Sequence, residues 1–444
     1  MPKRIDDIMS DRFTFQAAFH RYTPEATDAL TRIGTARGTI EASGIRPAAE
    51  DEWRVSALAE TVHYSTLIEG NELPIIEAER AARGALGDPD TKAKIELVNY
   101  VEALHYLDRL AGQGGIEIVP ELILALHRKT TEGLGSEESP HFKPHHEGAW
   151  RDGIARVIDR GTGTVMHEGP PPEEVAERMA GLCAWIAARE ERLVEYPPPV
   201  IAGVAHYAVT DIHPFADGNG RVARLLTAAI LMRLGFISRR IFSFERYYAE
   251  DRDAYYAALR SVRAETLNMN RWLSYFLTGL AEEYERVAER IAELQLIGLG
   301  SSDPIALSAS QERGLMQLNL HSLDEFRRID YERLAEVNRS GALRDLADLE
   351  AKRVIAPRGR GSAARYRLRA SLGEERRGRK RSWTDERIEA GLRELIGEDG
   401  RWPSVEDFRG AGALSLYEAM RRNGGSRVWA ERLGLERPRG GRPG

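Results

Sequence analysis

Between His213 and Arg224 the chain reads HPFADGNGRVAR, which places an imidazole, a carboxylate, an amide, two guanidinium groups and two glycines in one short stretch. Gly218 and Gly220 permit backbone conformations that turn successive N–H groups toward one point at the start of a helix, and that point is an anion hole. Arg221 and Arg224, about one turn apart, project from the first helical turns toward a polyphosphate held there. Asp217 is a hard oxygen ligand suited to one position on an octahedral Mg²⁺ that otherwise takes phosphate oxygens and water. His213, with an ordinary pKa of about 6.5, can take a proton from an attacking hydroxyl at neutral pH. Phe215 carries no such chemistry and reads as the anchor that buries the loop. Together these groups fit phosphoryl or nucleotidyl transfer, in which cation, arginines and amides stabilise the transferring phosphate while His213 activates the acceptor.

The elements that must position this loop are helical. Val200 to Asp211, before it, is apolar on nearly every side and belongs in the core. After it, Val222, Leu225, Leu226, Ala229 and Ile230 form one face of a helix from about Gly220 to Leu234. Upstream, Ala29 to Ala42, Trp53 to Leu67 and Ile95 to Leu110 carry helical spacing, with Pro47 as a break and Gly70 placed as a helix C-cap. A further helix starts at Pro120. Ile154 to Ile158 and Thr164 to Met166 flank Arg160 to Gly163 and predict a hairpin, after which Pro170, Pro171 and Pro172 open another helix. The GTG of that hairpin is a turn, since no helix follows it and no GxxxxGK[ST] occurs in the chain. Two more helices run to about Ile297, and the second, Trp272 to Ala292, reads as a core helix rather than a dimer seam.

The chain has 444 residues, enough for several domains. No window approaches a membrane span and the N-terminus lacks a signal-peptide core, which predicts a cytoplasmic protein with no membrane partner. Cys183, the only cysteine, lies in an apolar helical run and is expected to be a buried thiol. Charge is unevenly spread. Residues 351 to 381 hold twelve Lys or Arg against Glu374 and Glu375, so the remaining chain is at −16. An acidic body with a basic segment points to a catalytic part joined to something that meets a polyanion.

HPFADGNGRVAR resembles the signature of the Fic family, H-x-F-x-[DE]-G-N-G-R-x-x-R, with every fixed position filled. The hairpin with its prolines resembles the family's flap, and RDAYYAALR with MNRWLSYFL resembles its closing helices, so the likeness covers about residues 10 to 290. The resemblance implies an Mg²⁺-dependent adenylyltransferase that moves AMP from ATP to a Ser, Thr or Tyr hydroxyl of a target protein, itself included. His213 would be the general base, Asp217 would hold Mg²⁺, Asn219 and Arg221 would contact the α- and β-phosphates, and the amides of Gly218 to Gly220 would form the anion hole. The flap would dock the target as an added strand. Retention of Gly218, Gly220 and Arg221 favours AMP transfer over the phosphate transfer of Doc-type members. Tyr256 matches a position lining the adenine pocket, while Arg263 stands where some members carry Asn. Ser65 to Gly70, S-x-x-x-E-G, resembles the family's inhibitory motif: Glu69, with Ser65, would pair with Arg224 and take the space of the ATP γ-phosphate. Dimers are common in the family, so a homodimer is an allowed assembly.

The expected fold is mainly α: N-terminal helices over 1–110 with the inhibitory helix at 51–70, an all-helical Fic core with a short β-hairpin flap over 111–300, a winged-helix domain over 304–370, a basic linker over 371–382, and a small helical module over 383–437. In the winged-helix reading RDLADLE is the recognition helix, Arg358 to Gly361 the wing turn, and 304–381 a DNA-binding region, with protein docking as the rival. Trp383, Trp402, Phe408, Leu416 and Trp429 are the expected core of the last module. His141, His145, His146 and Glu147 read as a loop rather than a metal site. Two other functions fit the same residues: a DNA-binding regulator whose core senses nucleotide, and removal of AMP from a modified protein with Glu69 aligning water.

Overall fold

A computed structural model describes residues 22–139, 141–158, 165–237, 241–262, 268–296, 305–320, 325–358, 365–368 and 385–396, together with 299, 323, 402, 403, 416, 420, 429, 430, 432 and 433. Its first helices are α1 (Pro24–Ala42), α2 (Pro47–Ile68), α3 (Ile75–Ala82), α4 (Lys92–Gly112) and α5 (Pro120–Thr131). The strands β1 (Arg156–Ile158) and β2 (Val165–Glu168) follow, then α6 (Pro172–Glu190), α7 (Pro198–Ile212), α8 (Asn219–Arg233), α9 (Glu245–Glu250), α10 (Arg252–Val262) and α11 (Asn270–Leu296).

Proline opens five of these helices, α1, α2, α5, α6 and α7, where its missing N–H is not needed and its fixed φ suits the first turn. In α1 the Thr23 side chain adds a cap, accepting from the Ala26 N–H at 3.1 Å. The short helix α3 is not legible in the periodicity of the sequence: eight residues bury only Ala78 and Ala81. The segment after residue 241 likewise divides into α9, α10 and α11 where two helices were expected, because Asp251 breaks the first from the second with an extended backbone.

Helix α7 is buried on all sides, as its composition requires, and lies between α6, α8 and α11. Gly203 permits the close approach of α11: a Cβ there would stand 2.9 Å from the Phe276 ring, and the Gly203 carbonyl accepts from Trp272 Nε1 at 2.8 Å. His206, fully buried on α7, bridges Thr227 Oγ1 of α8 at 3.0 Å and the Tyr255 hydroxyl of α10 at 2.8 Å. The long helix α11 turns Trp272, Phe276, Leu280, Tyr284, Val287 and Ile291 inward against α1, so it is a core helix as expected.

The hairpin is present. β1 and β2 pair antiparallel with an irregularity at Val157/Ile158, and Val157 and Val165 are exposed. The turn residues 159–164 lie outside the described set.

Beyond α11 come α12 (Ala309–Leu320), β3 (Glu325–Arg327), α13 (Arg328–Leu334), α14 (Arg339–Ala351), β4 (Ile355–Arg358) and β5 (Arg365–Leu368). The strands form one antiparallel sheet in the order β3-β5-β4. The strand β3, only three residues long, is absent from the sequence reading, while RDLADLE lies in α14 and the expected turn Arg358 to Gly361 begins at the end of β4. This unit is not set apart by its core: one hydrophobic cluster runs from Ala26 to Leu368. It is tied to the start of α2, where Arg46 Nη2 donates to the Ile305 carbonyl at 2.8 Å and Gln317 Nε2 to Glu52 Oε2 at 3.1 Å.

The last helix, α15 (Asp385–Ile396), belongs to a second cluster of Ile388, Leu392, Leu416, Met420 and Trp429, with Trp402 packed against it. Trp383, Phe408 and the linker 371–382 lie outside the described residues. No helix among the described residues is long and apolar enough to cross a membrane.

Candidate active site

Helix α7 ends on His213, whose φ of 51° and ψ of 57° lie in the left-handed region. That conformation is uncommon for a residue with a Cβ and persists where its surroundings fix it. Here Arg151 does so. Its Nε donates to the His213 carbonyl at 2.8 Å, its backbone N–H to the Pro214 carbonyl at 3.0 Å, and its remaining nitrogens reach the carbonyls of Gly153 and Pro170 at the base of the hairpin. Arg151 is buried, so flap and catalytic loop are joined through one guanidinium. His213 Nδ1 lies 3.3 Å from the Thr210 carbonyl, a geometry that assigns the proton to Nδ1 and makes Nε2 the basic nitrogen.

Phe215 fills the anchoring role expected of it. It is fully buried, with its ring 3.8 Å from that of His127 and nearly parallel to it, and the Trp150 ring 5.1 Å away on centroids. The Asn219 amide then closes the loop, accepting from the Phe215 N–H at 2.9 Å and donating to its carbonyl at 2.8 Å. Phe215→Ala is expected to cost about 3–5 kcal/mol, the range for deleting a buried phenyl ring, as read by a drop in the urea midpoint.

His127, on α5, is a further strut. The Gly148 N–H donates to its Nδ1 at 3.0 Å, so Nε2 carries the proton and donates to the Asp217 carbonyl at 2.9 Å. Burial lowers its pKa to about 4, and burial lowers that of His206 to about 3. Both rings are neutral when folded and take protons when unfolded below pH about 6.5. Glu245, fully buried, works the other way, since burial raises its carboxyl to about 8. Counting these three groups, below pH about 6.5 the unfolded chain gains two imidazole protons against one already held by folded Glu245, and His63, whose pKa burial also lowers, acts in the same direction. Stability therefore falls with acid at about 1.4 kcal/mol per pH unit, and between 6.5 and 8 it declines with base. Urea unfolding across pH 5 to 8 is expected to show a maximum near pH 6.5, and stability that keeps increasing as the pH is lowered below 6 would contradict the assignment.

Gly218 caps the start of helix α8 with a left-handed φ of 81°, whereas Gly220 is an ordinary helical residue, and a Cβ on Gly218 would press on Thr131 and His127. The first N–H groups of the helix have no intrahelical acceptor and present a positive end. A carboxylate occupies this end. Glu69 Oε1 lies 2.3 Å from where a Gly220 Cβ would be, so only glycine leaves room for it. The same oxygen accepts from Arg224 Nη2 at 2.7 Å. Arg224 is wholly buried, and its Nε donates to Ser65 Oγ at 2.7 Å and its Nη2 also to the Ser65 carbonyl at 3.0 Å. Burial alone would depress this guanidinium, but the charge of Glu69 and the neighbouring Tyr100 and Tyr255 hold its pKa above the ordinary value. Glu69 caps α2 and Gly70 follows at φ 100°, so the helix end aims the carboxylate at α8. Burial first, then the Glu69 charge, raises the Tyr256 hydroxyl, and its ring packs 5.1 Å on centroids from that of Tyr255.

Two residues of the loop make contacts that the sequence did not show. The Asn219 side chain is spent on the Phe215 backbone, and Arg221, its side chain 3% exposed, reaches the Thr130 carbonyl at 3.4 Å, with Glu96 at 3.9 Å and Asp217 at 3.7 Å. In this conformation both hold the shape of the loop, and Arg221 Nε is buried without a hydrogen-bond partner among the described residues. Asp217 Oδ1 accepts from the Gly218 N–H at 2.6 Å, while the side chain as a whole is 47% exposed.

His145, His146 and Asp152 bring ligand-type atoms within 4.8 Å of one another. The Lys143 N–H donates to His146 Nδ1 at 3.0 Å, which puts the proton on Nε2, facing Asp152 Oδ1 at 3.3 Å. In this arrangement the three side chains close the turn around residues 143–152. Cys183 is buried, with its thiol pushed up to about 12 by burial. Sequence reasoning missed His127 and Arg151. The first carried a faint signal, a histidine on the apolar face of its helix with Ile123 and Leu126; the second carried none, since a clamp between distant backbone carbonyls leaves no spacing to read.

Fold and site define a helical domain built around an anion-binding loop beneath a β-hairpin. Residues 117–231 match the model of the Fic/DOC family, and the chain carries a Fic domain. A protein adenylyltransferase Fic of Nematostella vectensis is 30% identical over 177 residues, 39% of this chain and 38% of that protein. Protein adenylyltransferase fic-1 of Caenorhabditis briggsae is 30% identical over 180 residues, 39% of this chain and 32% of that protein. The chain thus spans less than two fifths of either relative. A solved Fic family protein from Desulfovibrio desulfuricans G20, 21% identical, matches the fold over 81% of this chain and 99% of its own at a TM-score of 0.50.

Proposed function

We propose that this protein transfers AMP from ATP to a hydroxyl side chain of a target protein, in an Mg²⁺-dependent reaction held in check by Glu69. The observation that carries the reading is the Glu69 carboxylate bonded to Arg224 at 2.7 Å over Gly220, where a terminal phosphate would otherwise meet the helix end and the arginine. His213 Nε2 accepts the proton as the acceptor oxygen bonds to the α-phosphorus; the bond from that phosphorus to the bridging oxygen breaks, and pyrophosphate leaves. First-turn amides of α8 stabilise the added charge. Asp217, hard and half exposed, fits one ligand position of Mg²⁺, which when bound would neutralise phosphate charge. Tyr256 would face the adenine. The exposed edge of the hairpin, with Val157 and Val165, would pair with an extended segment of the target. The names of the relatives support the same chemistry.

The test uses Glu69→Gly protein with Mg²⁺ and ATP labelled at the α- or the γ-phosphate. Label retained on protein from the α-position alone, and lost in a His213→Ala double variant, is the expected result. Retention of γ-label, or of neither, overturns it.

For residues 304–370 the order of three helices and a β3-β5-β4 sheet favours a winged helix, and exposed Arg358 and Arg365 on its hairpin strands favour a nucleic-acid partner. Helix α14 weighs against it, since its exposed Asp348 and Glu350 offset Arg339 and Arg344. A duplex titration separates the two: binding that weakens steeply with salt and is lost on substituting Arg358 and Arg365 supports DNA, and salt-insensitive or absent binding removes it.

A further inference from the structure

Helix α7 ends inside the protein, so the carbonyls of its last turn need donors from elsewhere. His213 meets the first two, its N–H donating to the Val209 carbonyl at 2.9 Å and its Nδ1 lying 3.3 Å from that of Thr210. The next four are met from the side of the hairpin. His167 Nε2, on β2, donates to the Asp211 carbonyl at 2.7 Å, and Arg151 Nη2 lies 3.4 Å from the Ile212 carbonyl. Arg151 Nε donates to the His213 carbonyl at 2.8 Å, and the Arg151 backbone N–H to that of Pro214 at 3.0 Å. The same guanidinium holds both roots of the hairpin, the Gly153 carbonyl ahead of β1 at 2.6 Å and the Pro170 carbonyl behind β2. Arg151 is 4% exposed and no carboxylate pairs with it among the described residues, so its charge is met by carbonyl dipoles, the negative end of α7 included. Gly169 makes the room: a Cβ there would stand 2.9 Å from Arg151 Nη2 and 3.1 Å from the Ile212 carbonyl oxygen. The hairpin is thus the cap of the helix that carries His213.

We propose that Arg151 is a positioning residue for the transfer, which fixes the register between a target strand paired with the hairpin and the His213 base. A hydroxyl carried on such a strand is placed by the hairpin, and the base is placed by the end of α7. Arg151 ties the two frames at four carbonyls, so the distance between hydroxyl and base is set by one planar group. The nucleotide groups stand apart from it, since Gly220 and Arg224 belong to α8 and Arg151 makes no hydrogen bond to that helix among the described residues. Loss of the clamp should therefore slow the modification step and leave the nucleotide held as before. A lysine cannot replace it: one ammonium brings the charge but not the flat fork of donors that spans carbonyls on both sides. The role in transfer rests on the reading of this site as an AMP transferase; the capping of α7 by the hairpin does not.

The test uses the full chain carrying Glu69→Gly, with Mg²⁺ and α-labelled ATP, and reads auto-modification. Adding Arg151→Lys should lower kcat by about tenfold to a hundredfold, the effect of a reacting group displaced by about 1 Å, while the KM for ATP and the calorimetric affinity for ATP stay within about twofold. Gly169→Ala keeps the guanidinium and crowds it, and should show the same split with a smaller loss; it also serves if Arg151→Lys does not fold. Transfer at the parent rate in both variants overturns the positioning role, as does a loss that falls on the KM for ATP or is shared between kcat and ATP affinity, which is the mark of general damage. Amide hydrogen exchange tests the clamp without activity. Arg151→Lys should speed exchange over 153–158, 165–170 and 212–216 together and leave 222–231 of α8 unchanged. Faster exchange confined to the hairpin, or spread evenly over the chain, overturns the clamp. A Glu69→Gly protein that transfers no AMP overturns the transferase reading, and the exchange result still decides whether the hairpin caps α7 through Arg151.

Discussion

In a Glu69→Gly background, His213→Ala is expected to slow AMP transfer by about 10²- to 10⁴-fold, the range for loss of a general base. The loss should fall on kcat, with the KM for ATP little changed. His213 sits past the end of α7, while the arginine and first-turn amides that would hold the nucleotide belong to α8. Its left-handed backbone is fixed by the Arg151 clamp on its carbonyl, which the substitution leaves in place, so the loop should keep its shape. Initial rates against ATP concentration check this, and a variant in which KM rises while kcat holds would move His213 from catalysis to binding.

Glu69→Gly alone is expected to raise transfer about tenfold or more. In the proposed inhibition Glu69 and a phosphate would compete for the same buried guanidinium, and a charge-assisted bond at 2.7 Å in a site closed on the Arg224 side is among the stronger hydrogen bonds a protein makes. The same change should lower thermal stability, because Arg224, wholly buried, loses its carboxylate and keeps only the hydroxyl and carbonyl of Ser65. ATP should restore the lost stability in the variant more than in the wild type, since only there does phosphate meet an open arginine. Time courses of protein-bound label and melting curves with and without ATP read the two effects.

How far the sequence carried differs by element. Helices α7 and α8 and the loop between them are legible because their signals are local and agree: an all-apolar run, two glycines at fixed offsets, then a one-faced apolar helix. The pairing of Glu69 with Arg224 is non-local, and only the likeness of Ser65 to Gly70 to a known motif pointed to it; helical spacing alone gives Glu69 as a solvated helix end. The backbone contacts of Asn219 and Arg221 within the loop were not legible in the sequence, for a physical reason. A side chain drawn outward in sequence is drawn inward by a tight turn with buried donors to satisfy, and that cost is invisible until the turn is built. His127 and Arg151 belong to the same class, acting on backbone carbonyls of a distant segment. The division near residue 303 was legible as composition but not as packing: Arg46 and Glu52 bind the later unit to the start of α2, the helix that ends in Glu69.

The account turns on one substitution of partners, Glu69 for a terminal phosphate at Arg224. Calorimetric titration of ATP and of ADP, each with Mg²⁺, into wild-type and Glu69→Gly protein measures it. If Glu69 holds the place of the γ-phosphate, the wild type binds ATP no more tightly than ADP, and Glu69→Gly binds ATP about tenfold more tightly while its affinity for ADP changes little. An ATP-to-ADP ratio that is the same in both proteins would contradict the account.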